Sequence, residues 1–327
     1  MKTRRLGRTG LDVSEICLGT MTFGHQCDEA ASFAILDRAA EAGVSFIDIA
    51  DAYPVPMSLE TAGRTEEIVG RWLSGKRDRF VVATKCALRM GPGPDDEGLS
   101  RTHIMKACED SLRRLGTDHI DLYQAHCPDP NVPHEESLRA FDDLVKQGKV
   151  RHIGCSNFAA WQVALGLGIS SQHGLSRWDC VQPRYNLMQR DIEPELLPLC
   201  RDQEVGVIAY NPLAGGFLSG KYRREEEAPA NTRFTLATIG KLHRDRYWHD
   251  AQFDVVEKLQ AFFAARDRRL ATAAVAWVLS RPGITCAIVG ASRAEQLDAT
   301  LAAASMTLDA DEQAIMNEAW SQLPRPA

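Results

Sequence analysis

The sequence predicts an α/β protein folded as a closed (β/α)8 barrel of the TIM type, with an N-terminal β-hairpin and an additional C-terminal helix. Three observations predict it. Eight short apolar, β-rich runs recur along the 327 residues, and a helical pattern follows each of them. The runs are nearly continuous in apolar residues, as strands buried on both faces of a parallel sheet must be. No linker, low-complexity tract or break in composition divides the chain, so one domain over 1–327 is expected, and a closed barrel is favoured over an open doubly wound sheet.

The elements follow in order. Short segments on either side of the Gly7 to Gly10 turn read as a hairpin. The eight strands are expected at 15–20, 45–50, 80–86, 119–127, 151–156, 180–186, 205–211 and 285–290. Helical spacing covers 30–42, 65–73, 102–115, 135–147, 159–167 and 194–201, then 253–279 with room for a break, and 294–304. Residues 220–250 form a polar insertion after the seventh strand; a connection of that length is functional or mobile. The stretch 309–320 reads as the extra amphipathic helix, before a short Pro-containing end.

Hydrophobic content of 44% with 25% charged residues is that of a soluble globular protein. A net charge of −6 with both signs mixed gives no reason to expect nucleic acid or an acidic membrane surface. No apolar run is long enough to span a bilayer, and the basic start lacks the apolar core of a signal peptide. The nine cysteines are scattered, with no C-x-x-C pair, which argues against a disulfide framework and a structural zinc site. A cytoplasmic location is expected, and homo-oligomerisation is left open.

In such a barrel, chemistry resides at the C-terminal ends of the strands and in the loops after them. The polar residues there are Thr20, Asp48 with Tyr53, Lys85, His126, Ser156 with Asn157, Gln182, Tyr210, and the segment Gly290 to Arg293. A lysine inside an apolar strand is costly without a partner, and Asp48 on the preceding strand can neutralise Lys85. An ammonium beside Tyr53 is expected to lower a phenol pKa that is about 10 in model peptides. A tyrosine that exchanges its proton near neutral pH is a credible general acid. His126 has no second His or Cys at ligand spacing, so a hydrogen bond to a substrate carbonyl suits it better than a metal. Asp51 is expected to be a solvated loop residue.

These residues carry a resemblance. Phe46-Ile47-Asp48-Ile49-Ala50-Asp51-Ala52-Tyr53, the Lys85 of Ala83-Thr84-Lys85 and the His126 of Tyr123-Gln124-Ala125-His126 resemble the tetrad of the aldo-keto reductase superfamily. The similarity continues through Gly154-Cys155-Ser156-Asn157-Phe158, Gln182-Pro183-Arg184-Tyr185-Asn186, the stretch from Tyr210 to Tyr222, and Ile288 to Leu297. The resemblance implies a small-molecule carbonyl substrate, with Tyr53 as proton donor, Lys85 and Asp48 tuning it, and His126 orienting the carbonyl. It implies NADPH (NADP+) as the hydride carrier.

For that cofactor, the resemblance implies Ser156, Asn157 and Gln182 at the carboxamide and Tyr210 stacked on the nicotinamide. Gly19, Thr20, Met21, Asp48, Asn211, Pro212, Leu213, Ala214 and Gly216 would also contact the cofactor, and Lys221 and Arg233 of the insertion resemble residues of a flap that closes over the pyrophosphate. Gly290, Ser292, Arg293 and Gln296 would hold the phosphate end, and Thr300 stands where relatives often carry an Asn at the adenine. Arg293 suits a 2′-phosphate and favours NADPH over NADH. Two further departures are Pro54, where a Gly usually follows the catalytic Tyr, and Met21 in place of a bulkier pocket residue.

No G-x-G-x-x-G follows a strand, and the glycines of 90–98 have the wrong spacing for a dinucleotide fold. The resemblance implies a reductase of aldehydes or ketones. One alternative is a reductase of keto- or enoyl-sugar or natural-product intermediates. Another is a redox-sensing binding subunit like the relatives that associate with potassium channels, against which the intact tetrad argues. A metal-dependent barrel hydrolase lacks the ligands it would need.

Overall fold

The structure is a computed structural model and describes residues 1–324. A two-stranded antiparallel hairpin, β1 (Thr3–Arg5) and β2 (Asp12–Ser14), opens the chain. Eight parallel strands then close on themselves: β3 (Ile16–Gly19), β4 (Phe46–Asp48), β5 (Val81–Cys86), β6 (Ile120–Ala125), β7 (Val150–Ser156), β8 (Trp178–Gln182), β9 (Gly206–Ala209) and β10 (Cys286–Val289). β10 pairs with β3 and so seals the barrel. All eight expected strands form, most of them a few residues shorter than expected, while β7 and β8 start one and two residues earlier. β8 stops at Gln182 because Pro183 has no N–H to continue a ladder.

Helices cover the strands: α1 (Glu29–Glu41), α2 (Arg64–Leu73), α3 (Arg101–Leu115), α4 (His134–Lys146), α5 (Ala160–His173) and α6 (Leu196–Asp202). The insertion holds α7 (Ala237–Tyr247), and α8 (Asp250–Ala264), α9 (Leu270–Ser280), α10 (Leu297–Leu301) and α11 (Ala310–Ser321) complete the chain. The expected break inside 253–279 falls between α8 and α9, where Asp267 takes a positive φ of 54°. α11 is the additional C-terminal helix; it opens on a reciprocal cap in which Asp309 accepts from Glu312 N at 2.8 Å and Asp309 N donates to Glu312 at 2.9 Å. The last three residues of the Pro-containing end lie outside the described residues.

The insertion is less polar than its composition suggests. Phe217, Tyr222, Phe234, Trp248 and Phe253 meet ring to ring, with Tyr222 and Phe234 only 4.7 Å apart between centroids. This cluster ties residues on both sides of the insertion to the turn after β9. Tyr247, at the end of α7, adds a polar tie: its hydroxyl accepts from Asn211 at 3.1 Å and Asn186 at 3.3 Å.

Two cores result. The larger lies between the barrel wall and the helices. The smaller fills the barrel itself with Phe46, Ala83, Leu122, Cys180, Ile208 and Ile288, and Leu6 of the hairpin plugs its lower end. Because side chains alternate along a strand, the residues two positions further on face the same interior, one layer nearer the mouth.

Candidate active site

That next layer is polar. Two residues beyond Phe46, Ala83, Leu122 and Cys180 stand Asp48, Lys85, Gln124 and Gln182, all buried. Lys85 Nζ donates to Asp48 Oδ2 at 2.6 Å and to the Ile49 carbonyl at 2.6 Å. Gln182 Nε2 donates to Asp48 Oδ1 at 2.8 Å, and Gln124 Nε2 approaches the same oxygen at 3.3 Å. Asp48 is thus the acceptor on which three strands converge, and a buried charge pair is tolerable only with such added partners. Burial works against the Lys85 ammonium, but Asp48 and then Tyr53 outweigh it and hold its pKa above the ordinary lysine value.

The chain turns immediately after β4. Tyr53 N donates to Ala50 O at 3.2 Å, and Asp51 N donates to Lys85 O at 3.1 Å, so the turn is laced to β5. The Tyr53 ring lies with its centroid 5.3 Å from Lys85 Nζ. The His126 ring meets it edge to face, centroids 5.8 Å apart at 77°. Asp48, Tyr53, Lys85 and His126 are therefore brought together.

Their electrostatics depart from the sequence expectation in one respect. The phenol of Tyr53 is held above its ordinary pKa, not below it. Burial drives the rise, Lys85 opposes it without winning, and Asp48 returns part of what Lys85 contributes. The resting side chain is a neutral phenol that keeps its proton. Burial, followed by the charge of Lys85, pushes His126 well below the ordinary histidine value, so its imidazole is neutral. His126 Nδ1 is buried and has no partner among the described residues.

Asp51 is not the solvated residue expected. It is fully buried, and neither carboxylate oxygen has a hydrogen-bond partner among the described residues. Burial, and then the neighbouring Glu66 carboxylate, raise its pKa well above the usual range. Arg114 is already engaged by Glu66 at 2.7 Å, and Thr84 donates to Glu66 at 2.6 Å.

The residues expected around a cofactor fall into two groups. Near the tetrad, Thr20 Oγ1 donates to Asp48 O at 2.9 Å and Ser156 Oγ to Gln182 O at 2.8 Å. Asn157, at φ 62°, donates to His126 O at 2.9 Å and accepts from Tyr210 Oη at 2.8 Å. Gly19 is in tight contact with β10, since a Cβ there would stand 2.7 Å from Ile288 Cγ2. The turn after β9 runs through Asn211, Pro212, Leu213, Ala214 and Gly216, with positive φ at Asn211 (60°), Ala214 (50°) and Gly216 (94°). Asn211 Oδ1 accepts from Gly215 N at 2.5 Å and steadies that turn.

The second group is cationic. Lys221, Arg233 and Arg293 have no carboxylate within ion-pair distance among the described residues. Partial desolvation, then the charges of Arg293 and Arg233, lower the Lys221 pKa, so the three cations share one neighbourhood. Arg233 donates to Met21 Sδ at 2.7 Å, a weak acceptor for a guanidinium. Three converging cations without counter-ions among the described residues, beside the glycine turn after β9, fit the phosphates of a dinucleotide. Exposed Gly290 stands next to this end, and Ser292 donates from N and Oγ to Gln296 Oε1 at 2.9 and 3.2 Å. Thr300 is different. It is buried and its hydroxyl already donates to Leu297 O at 3.0 Å, which leaves an adenine no free donor there.

Sequence reading missed Gln124. Its signal was present: it lies two residues before His126 on one strand, hence on the same interior face. The Ile49 carbonyl, the second acceptor for Lys85, carries no side-chain signal at all.

Comparison with known proteins agrees with this geometry. Residues 15–321 match the model of the "Aldo/keto reductase family". An uncharacterized oxidoreductase of Bacillus subtilis, YrpG, is 37% identical over 325 residues, covering 97% of this chain and 95% of that protein. A probable voltage-gated potassium channel subunit beta of Arabidopsis thaliana is 34% identical, covering 97% and 98%. The versiconal hemiacetal acetate reductase of Aspergillus parasiticus is 29% identical, covering 98% and 97%. With the match running through every strand of the barrel and both sides of the mouth, this chain belongs to the aldo/keto reductase family.

Proposed function

We propose that the protein reduces an aldehyde or ketone to an alcohol with NADPH, and that Tyr53 is the proton donor. The observation that carries this reading is the buried Asp48–Lys85 pair, at 2.6 Å, placed 5.3 Å from the centre of a neutral, half-buried phenol. Lys221, Arg233 and Arg293 together with the Tyr53 side of the mouth would hold NADPH, which would supply the hydride for the carbonyl carbon. The protein's own residues do the rest. Tyr53 Oη gives its proton to the carbonyl oxygen as that oxygen gains charge. The phenolate left behind is stabilised by the adjacent ammonium of Lys85, which Asp48 keeps charged and in place. Neutral His126 retains an N–H with which to hold the carbonyl oxygen in line.

The reading includes a single domain with residues 220–250 covering the cofactor. The aromatic cluster and Tyr247 support it, because they hold both ends of the insertion beside the turn after β9. The nine free cysteines, all but Cys127 buried, are consistent with a reducing compartment. No helix among the described residues is long and apolar enough to cross a membrane.

The test is turnover of an activated aromatic aldehyde, followed by the loss of NADPH absorbance. Tyr53→Phe should cut kcat by about 10²- to 10⁴-fold, the usual worth of a positioned acid. The variant should still bind NADPH, read by quenching of tryptophan fluorescence. Full activity in Tyr53→Phe overturns the proton-donor role. NADPH binding without turnover of any carbonyl compound would instead favour a redox-sensing binding subunit; the Arabidopsis relative is named a probable voltage-gated potassium channel subunit beta.

A further inference from the structure

The end of the barrel opposite Tyr53 holds a second concavity of about 690 Å³. It is walled by the hairpin turn, the first residues of β7 and β8, the end of α5 and the end of α6. Its volume is in the range of small-molecule sites, roughly 300–1,000 Å³.

The hairpin turn is fixed there by backbone contact. Gly7 has φ 54°, and a Cβ at that position would stand 2.6 Å from Glu204 O, 2.7 Å from Gly206 N and 2.8 Å from Asp179 O. Only glycine permits this approach. Arg8 N then donates to Glu204 O at 3.1 Å, so the Arg8 side chain starts from a rigid point on the cavity rim.

Arg177 lines the same cavity. One guanidinium nitrogen donates to Gln203 O at 2.7 Å, while its Nε is buried without a partner among the described residues. Neither Arg8 nor Arg177 has a carboxylate within ion-pair distance among the described residues. Of the charged residues lining the cavity, Asp179 binds His152 Nδ1 at 2.8 Å, and Arg151 is taken by Asp121 at 2.7 Å. Burial, and next the charge of Arg8, lower the Arg177 pKa, while Asp179 and Glu204 act in the other direction. Two arginines without counter-ions lining one cavity, one of them with an unpartnered Nε, are an arrangement an anion would relieve.

We propose that this cavity binds a small molecule carrying a multivalent oxyanion, a phosphate or a carboxylate cluster, held by Arg8 and Arg177. Gln203 and Ser171 of the lining contribute neutral polar groups, and the space beyond the two guanidiniums accommodates the body that carries the charge. The site shares no residue with the mouth. Its occupation acts on stability, through preferential binding to the folded chain.

The experiment is thermal unfolding of the full chain, without cofactor, in rising concentrations of inorganic phosphate and, separately, of citrate. Sodium chloride at matched ionic strength is the reference. Both anions stabilise folded proteins in general, so the comparison between variants decides. Arg8→Ala and Arg177→Ala should each require about tenfold more of the effective anion for the same shift in midpoint, the worth of one charge-assisted bond. Arg177→Lys should fall between. A response to phosphate alone or citrate alone identifies which oxyanion the site takes. If Arg177→Ala does not fold, the exposed Arg8 decides alone. Curves for Arg8→Ala that superimpose on wild type for both anions, or an equal response to chloride, overturn the proposal.

Discussion

Lys85 Nζ and Asp48 Oδ2 are 2.6 Å apart, and both side chains are buried inside the barrel. The pair is unequal in its other support. Asp48 keeps the amides of Gln182 and Gln124 if Lys85 is lost, whereas among the described residues Lys85 keeps only the Ile49 carbonyl as acceptor if Asp48 is lost. Breaking a buried pair from one side costs about 3–5 kcal/mol, because a charge is left uncompensated. Asp48→Asn should therefore lie at the upper end of that range and Lys85→Met at the lower end. The double variant should be less destabilised than the sum of the two. Urea unfolding of the four proteins checks this, and strict additivity would mean that the two groups do not interact.

The pH profile follows from the neutral Tyr53 and neutral His126. Burial lifts the phenol above its ordinary value and depresses the imidazole below its own. Tyr53 therefore stays protonated throughout the neutral range, ready for the proposed transfer, and the imidazole does not charge near its usual pKa of about 6.5. The expected kcat/KM for reduction is level from about pH 6 to about pH 9, declining only near or above the ordinary tyrosine value of about 10. A fall centred between pH 7 and 8 would show that Lys85 prevails over burial once substrate and cofactor are in place.

Much of this site is legible in the sequence, and the limits are physical. Asp48, Lys85 and His126 stand out because charge or imidazole interrupts an apolar run, and Tyr53 because it follows at loop distance. Gln124 does not stand out, since its role depends on which layer of the barrel it joins, a matter of register between strands. Asp51 misleads for a related reason. It sits two residues before Tyr53 in a turn, where acids are usually solvated, but α2 and α3 close over that turn and bury it. The direction of the Tyr53 shift is a contest between burial and a neighbouring charge. Sequence shows that both exist and not which is larger.

Asp51 makes a prediction of its own. Its folded-state pKa lies well above its unfolded value, so the folded chain retains a proton that the unfolded chain has released above about pH 3.9. The stability this group contributes is present in acid and is lost as pH rises through the folded pKa. Asp51→Asn removes that titration. Relative to wild type, the variant should gain stability with rising pH, by up to about 1.4 kcal/mol per pH unit inside the window. Paired unfolding curves from pH 4 to pH 9 measure it. A constant difference would mean that Asp51 is ionised in the folded protein, with a partner for its charge.

The cation cradle predicts the cofactor preference. Lys221, Arg233 and Arg293 depress no carboxylate and neutralise none among the described residues, so their charge is available to phosphates. Arg293 is the exposed member, and Arg233 is half-buried over Met21. A 2′-phosphate distinguishes NADPH from NADH, while the diphosphate is common to both. If Arg293 meets the 2′-phosphate, Arg293→Ala should raise the KM for NADPH about tenfold, near 1.4 kcal/mol, and leave the KM for NADH nearly unchanged. Arg233→Ala, acting on the shared diphosphate, should raise both by similar factors. Salt should weaken NADPH binding less in Arg293→Ala than in wild type, because one exposed charge no longer contributes. Equal loss of both cofactors in Arg293→Ala would move Arg293 to the diphosphate and leave the 2′-phosphate to Lys221.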